Sequence, residues 1–380
     1  MLEKIKTTNL QEGMFVICSA SGMASIPPEL SNKMISSKAD IAAILKLNIS
    51  EVLIDSEQSS PQNNFPQTTY SEEILFAREA YNNALHCVQR IYQTVEDKGQ
   101  LNISEYKKDI TPLLDSIDRN SSAAASITVL ARADRYLYTH SLNTAILSSM
   151  LGRYMGLSRK TMEDISITAM LMNLGQLWIS PKVMQKKGKL SHDEFELIKN
   201  HPLKGCQYLK EQATPETIIE SVYSHHENYD GTGYPQGLSG NDIPQISRII
   251  SICDAYDAMT IERPYREALT PHSAIKHLYT MANSAFHPRY LESFIKCVGI
   301  YPVGCFVKLS DGRYGVVISN TPKAPLLPRV KIVFNSRFRA IHPEFIDLSK
   351  DSETKQGNNL EIVECIHPKT FKLELDRFLW

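Results

Sequence analysis

The chain has 380 residues, 42% of them hydrophobic and 22% charged, with a net charge of −1. This is an ordinary globular composition without the global basic field that holds nucleic acid, so DNA is not an expected partner, although a local basic pocket for phosphate stays open. The length predicts two or three domains, since a single core rarely grows past roughly 250–300 residues.

Residues 1–56 read as a small α/β unit. Gly13-Met14-Phe15-Val16-Ile17 is a turn leading into a strand, Ala39 to Leu47 has helical spacing with Ser36-Ser37 as its cap, and Glu51 to Asp55 is a short buried strand. Residues 56–69, SEQSSPQNNFPQTT, have linker composition. A long amphipathic helix is predicted from Ser71 to Asp97, with Ile74, Ala77, Ala80, Ala84 and Val88 on one face, and a second from Ser104 to Arg119. The pattern from Ser121 to Val298 is helical, broken at 152–158, 175–181, 200–205 and 228–245.

After Gly299 the pattern changes. Cys305–Leu309, Tyr314–Ile318 and Val330–Phe334 are β-type runs, and Ser310-Asp311-Gly312-Arg313 is a hairpin turn between the first two. Residues 349–380 begin polar and end in a strand-like segment from Thr370 to Leu375. The boundaries that follow are 1–56 for the N-terminal α/β domain, 57–120 for a linker and long helices, 121–300 for a helical domain, and 301–380 for a β region and tail. The sequence has no internal repeat.

Seven cysteines, odd in number and scattered without a CxxC pair, fit reduced thiols better than a disulfide frame or a cysteine zinc site. The N-terminal segment lacks the apolar stretch of a signal peptide, and no apolar run approaches the ~20 residues of a membrane span. A soluble, cytoplasmic protein is expected.

The chemistry concentrates in histidines and aspartates. His225-His226-Glu227 ends a helix and opens the glycine-rich loop NYDGTGYPQGL; His201-Pro202 begins another segment; His140 lies near the start of a helix. Asp254 and Asp257, one turn apart, share a face of the apolar helix ISRIISICDAYDAMT. A buried carboxylate there needs a metal, an arginine or hydrogen bonds. Taken singly, His140 and His201 read as hydrogen-bonded core histidines, whereas the His-His pair before DGTGYP reads as a ligand pair; neutral imidazole suits zinc, iron, manganese or nickel. The other histidines read as ordinary polar residues.

The segment HHENYDGTGYPQGLSGNDIP, residues 225–244, closely resembles the signature of the HD-GYP family. IISICDAYDAMTIERPYREALTP at 249–271, GIYPVGCFVKLSDGRYGVVISN at 299–320, YTHSLNTAIL and NHPLKGCQYL extend the match, and residues 2–56 look like the N-terminal domain often attached to such proteins. The resemblance implies a mainly α HD-type bundle with a small N-terminal α/β domain and a short C-terminal β region. It also implies bacterial signalling, with hydrolysis of cyclic di-GMP at a site of two or three metals, often iron or manganese. Two ions flanking a phosphodiester stabilise the pentavalent charge and activate a bridging water.

One departure is large. Where the family carries a His-Asp dipeptide, this chain reads MLMNLGQLWISP: Met172 and Asn173 stand in place of the pair, Gln176 in place of a lysine, and Tyr136 where three-metal members carry a glutamate. Carried over residue by residue, one metal site keeps only His140 and Asp254. The other keeps His201, His225 and His226, with Asn173 replacing the bridging carboxylate. At most one divalent ion is therefore expected, iron, manganese, zinc or nickel, or none. Tyr234 is a candidate to pack against guanine or a partner. Arg263 and Arg266 are candidates to grip phosphate, set against surface ion pairs with Glu262 or Glu267.

The favoured expectation is a degenerate HD-GYP module that binds cyclic di-GMP, a related nucleotide or partner proteins with little or no hydrolysis. The alternatives are an active metal-dependent phosphodiesterase, or a scaffold without nucleotide that contacts a diguanylate cyclase or another signalling protein. An oligomer is compatible with all three.

Overall fold

The structure, a computed structural model, describes the chain except residues 1, 11–13, 20–25, 28, 32, 36, 56–67, 130–135, 185, 187, 262–266, 321–323, 351–359, 372, 374–377, 379 and 380. The expected linker, Gly13, Ser36, Arg263 and Arg266 fall wholly or mostly among these and lie outside the described residues. The chain divides into two compact units, residues 1–66 with 151–162, and residues 67–150 with 163–380.

In the first unit, β1 (Leu2–Lys6), β2 (Phe15–Ser19), β3 (Lys33–Met34) and β4 (Glu51–Asp55) form an antiparallel sheet in the order β1-β4-β2-β3. Alternation in β4 puts Val52 and Ile54 into a core with Val16 and Ile44. Helix α1 (Lys38–Lys46) starts at Ser37, whose hydroxyl accepts from the Asp40 N–H while the Asp40 carboxylate accepts from the Ser37 N–H.

The second unit opens with α2 (Tyr70–Glu96), which buries Ile74, Ala77, Ala80, Ala84 and Val88, the predicted face. It packs against α3 (Ile103–Val129), whose core residues include Ile110, Leu113, Leu114 and Ile117. The predicted helix end at Arg119 coincides with a kink: Asn120 leaves helical geometry, and its side chain accepts from the Ala123 N–H and donates to the Thr68 carbonyl. The helix then resumes, because the Asn120 side chain caps the new start.

The helical body continues with α4 (Tyr136–Tyr154), α5 (Arg159–Leu171), α6 (Pro181–Met184), α7 (His192–Lys199), α8 (His201–Lys210), α9 (Glu216–Tyr223), α10 (Gln245–Thr260), α11 (Pro271–Thr280) and α12 (Pro288–Val298). The predicted break at 200–205 is present but narrows to its first residue. Only Asn200 separates α7 from α8, and Pro202 sits in the first turn of α8, where its missing N–H costs nothing. Gly205 lies inside α8 for close approach, not as a breaker: it lets the 3-10 turn Leu174–Trp178 lie against the start of α8. A Cβ on Gly175, in that turn, would stand 1.8 Å from the His201 carbonyl oxygen.

The C-terminal sheet is antiparallel, in the order β8-β7-β6-β5-β9, from β5 (Phe306–Leu309), β6 (Tyr314–Ser319), β7 (Arg329–Phe334), β8 (Ala340–Asp347) and β9 (Ile362–Ile366). The first three match the predicted strands and buried cores lie on both faces. β8 and β9 were not foreseen. β8 contains Pro343, which argues against a central strand but is tolerated at the edge this strand occupies. The strand predicted at 370–375 is not found where the chain is described: Thr370 and Phe371 belong to a 3-10 turn, Pro368–Phe371. Residues 372, 374 and 375 lie outside the described residues.

Candidate functional site

His201 opens α8, and His225 and His226 follow α9 directly. Their ligand-capable nitrogens all lie within 4.8 Å of one another, a spacing that can hold a metal ion. Two of the rings are aimed by the same local device. His201 Nδ1 donates to the Ile198 carbonyl at 2.8 Å, and His225 Nδ1 to the Val222 carbonyl at 2.6 Å. Each acceptor lies in the last turn of the preceding helix, where carbonyls lack intrahelical donors.

These bonds fix the proton on Nδ1 and leave Nε2 as a bare acceptor. The two Nε2 atoms then face each other at 3.2 Å. Two lone pairs at that separation repel unless a cation or a proton lies between them. Burial, and then the nearby His225, push the His201 pKa down to about 3. Burial also holds His225 and His226 below the ordinary imidazole value. The three rings are therefore neutral, the form that binds a metal, and the donor set fits a divalent zinc, iron, manganese or nickel ion.

A second cluster gathers around His140 on α4. Its Nε2 lies 2.8 Å from Asp254 Oδ1 and its Nδ1 2.7 Å from Asp257 Oδ2, both carboxylates projecting from α10. Asn143, one turn after His140, donates to Asp257 Oδ1 at 2.9 Å and accepts from the Tyr81 hydroxyl at 3.3 Å. Burial alone would lower the His140 pKa, but the hydrogen bonds and charges of Asp254 and Asp257 outweigh it and raise it to about 9. Tyr136 stacks on the His140 ring at 5.1 Å.

The segment between these clusters in sequence is apolar and amide-based. Met172 is fully buried, and Asn173 is 3% exposed. Asn173 Oδ1 accepts from Gln176 Nε2 at 2.5 Å. On the loop after His226, Tyr234 stacks against the His226 ring at 4.9 Å. The loop is closed from within by Glu227, which is buried and accepts from the Gln236 and Leu238 N–H groups at 2.6 and 3.0 Å. Gly233 is needed there, since a Cβ would stand 2.2 Å from the Asn228 nitrogen.

Of the residues singled out from sequence, His201, His225 and His226 come together. His140 and Asp254 bond to each other and do not join that triad at ligand spacing. Asn143 and Tyr81 were missed as supports; a buried asparagine one turn from His140 was the available signal.

Three family profiles match the chain: an HD domain over residues 124–289, a KOW domain associated with HD domain over 306–374, and a domain of unknown function (DUF3391) over 2–106. A cyclic di-GMP phosphodiesterase of Pseudomonas aeruginosa is 28% identical, with 96% of this chain and 93% of that protein covered. The cyclic di-GMP phosphodiesterase PdeB of Borreliella burgdorferi is 33% identical over 53% of each chain. The chain carries an HD domain and is similar to these cyclic di-GMP phosphodiesterases, to the first of them over nearly its whole length.

A 3'3'-cGAMP-specific phosphodiesterase of Vibrio cholerae is 29% identical, over 44% of this chain and 36% of that one. This chain thus spans nearly all of the first relative and about half or less of the other two. The HD-GYP signature at residues 225–244 supplies two of the three clustered imidazoles and the Tyr234 loop. No helix among the described residues is long and apolar enough to cross a membrane.

Proposed function

We propose that this HD-GYP protein binds a cyclic dinucleotide, holds at most one divalent ion, and hydrolyses its ligand slowly or not at all. The observation that carries this reading is the state of the Met172–Gln176 segment. Met172 offers a fully buried thioether, a poor ligand for hard divalent ions, and the Asn173 carboxamide oxygen is already engaged by Gln176. A neutral amide cannot supply the bridging negative charge that pairs two cations a few ångströms apart.

The His201, His225 and His226 imidazoles would hold the single ion. When bound, it supplies Lewis-acid polarisation of a phosphoryl oxygen. Tyr234, stacked on His226, stands where a guanine ring could be packed. Arg263 and Arg266 are proposed to grip the phosphates through forked donors. Cyclic di-GMP is the proposed ligand, in keeping with the relatives named for it.

A second reading, an active phosphodiesterase, rests on one observation. His140 Nε2 and Asp254 Oδ1 lie 2.8 Å apart, close enough for both to ligate one ion if the hydrogen bond between them is given up. Metal analysis combined with cyclic di-GMP turnover separates the readings. Wild type should carry no more than one ion per chain and turn over far below the usual enzyme range of about 1–10³ per second. The combined change Met172→His, Asn173→Asp and Gln176→Lys should add a second ion and raise turnover by about 10²–10³ or more. Ordinary wild-type turnover with two ions bound would sink the proposal. Absence of nucleotide binding by wild type would favour a scaffold that contacts a diguanylate cyclase or another signalling protein.

A further inference from the structure

A buried cation without a counter-ion stands at the start of α10. Arg248, in the first turns of that helix, is only 8% exposed. Arginine stays charged at any ordinary pH, and a buried charge is normally paired. No carboxylate among the described residues pairs with this one. Its Nη1 donates to the Asn241 Oδ1 at 2.6 Å, and its guanidinium carbon lies 5.1 Å from the centre of the Tyr290 ring. Its Nε is buried and has no acceptor. A group left so calls for an explanation.

The guanidinium is directed at the beginning of its own helix, as helical side chains are. Asn241 belongs to the 3-10 turn Gly240–Asp242, which leads into α10. The N-cap of α10 is Pro244, and no side chain caps the first turn. The first N–H groups of this sixteen-residue helix therefore face outward at its positive end. Gln245 and Ile246 in that turn are half-buried, so the helix start opens toward solvent. The other side of the guanidinium is fixed by rings: Gln245 Nε2 donates to the Tyr290 hydroxyl at 3.3 Å, and His287 stacks on Tyr290 at 4.6 Å.

We propose that Arg248 and the first turn of α10 form a binding site for a phosphate group, free or carried on a small phosphomonoester. With Nη1 committed to Asn241, the Nε and Nη2 hydrogens remain, and they point to one side, the edge that grips an oxyanion with two bonds. The free N–H groups of the helix start supply further donors, and a tetrahedral anion can accept from both sets at once. Entry requires the exposed Asn241 and Asp242 side chains to turn aside. Asp242 opposes the anion by its charge, which makes it a control on the site's strength. This site is separate from the His140 cluster, since Asp254 stands more than two turns further along α10.

The test uses the full chain in phosphate-free buffer and follows amide hydrogen exchange by mass spectrometry as inorganic phosphate is added, with chloride at equal ionic strength as the control. Phosphate should slow exchange in the peptide spanning residues 239–248, and chloride should not. Calorimetry on the same protein should give saturable binding that Arg248→Met weakens about 10–100-fold, the span of a hydrogen bond to a charged group. Asp242→Asn should tighten it. That exposed substitution and the wild-type exchange data decide the matter even if Arg248→Met fails to fold. An arm with glycerol 3-phosphate tells the sources apart: protection by both compounds assigns a phosphomonoester site, and protection by phosphate alone assigns a site for the free ion. The proposal is overturned if phosphate leaves residues 239–248 unprotected, or if folded Arg248→Met binds phosphate as tightly as wild type.

Discussion

The two halves of the site are held by different means. The imidazoles of His201 and His225 are aimed by carbonyls three residues earlier in the chain, at the ends of α7 and α9. The His140 cluster depends on partners more than a hundred residues away, since Asp254 and Asp257 come from α10 and meet a ring on α4. A locally aimed ligand keeps its orientation whatever happens elsewhere. A ligand aimed across the bundle keeps it only while the helices stay in register. This contrast accounts for how the histidine triad can stay assembled beside a Met172-Asn173 segment without acidic or imidazole side chains.

The largest expected effect falls on the triad. His225→Ala removes one of three converging nitrogens, and the bound ion, measured by elemental analysis, should fall from about one per chain to near none. Loss of a supporting outer residue typically costs about 10–100-fold in metal affinity, and loss of a direct ligand should exceed that. Retention of the ion would mean that the His140 cluster is the real holder and would invert the comparison.

Gly175→Ala tests the same half without touching a ligand. Its Cβ would stand 1.8 Å from the His201 carbonyl and 2.8 Å from the Gly205 nitrogen, both backbone atoms with little freedom. Relief requires the 3-10 turn to withdraw from α8, at a cost of about 3 kcal/mol by the usual scale of overpacking. Thermal unfolding reads the cost. Metal affinity should fall with it, because His201 moves with its backbone.

Asp257→Asn sharpens the other half. The change preserves shape, yet it removes the negative charge facing the buried His140 ring. A drop of roughly 2 kcal/mol in stability is expected for weakening a buried charged hydrogen bond, with ion content at the triad unchanged. A fall in ion content would show that the two clusters act as one site.

How much of this was legible in advance follows the same division. The His225-His226 pair was readable as ligands because it opens a dense glycine-rich loop motif, but His201, which read singly as a core histidine, joined it only through the resemblance to the HD-GYP family. The helix face of α2 and the strands β5, β6 and β7 were readable from periodicity. Asp254 and Asp257 could be placed on one helix face, but nothing local shows that a ring on α4 would fill the space between them. Gly205 was misread because a glycine that admits a neighbouring backbone has the same local signature as one that ends a helix. β9 was missed because its β-type run, Ile362–Ile366, is short and follows a long polar stretch, so only its pairing with β5 identifies it.

The smallest expected effect belongs to Tyr234, and it decides to which half the glycine-rich loop belongs. The loop is held by backbone donors to Glu227, so its shape does not depend on the tyrosine. The ring adds a stack on His226 at 4.9 Å and a contact with the Lys199 ammonium at 5.7 Å. An aromatic pair of this kind contributes about 0.5–1.5 kcal/mol beyond its buried area. Tyr234→Ala should therefore lower stability only modestly and leave the ion in place, because His226 presents its nitrogen without help from the stack. Cyclic di-GMP affinity, measured by calorimetry, should fall more than stability does, since a guanine would lose its packing surface. Tyr234→Phe should restore the affinity if the ring face is what matters. Should Tyr234→Ala strip the ion as His225→Ala does, the loop would count as part of the metal half and not as a ligand platform beside it.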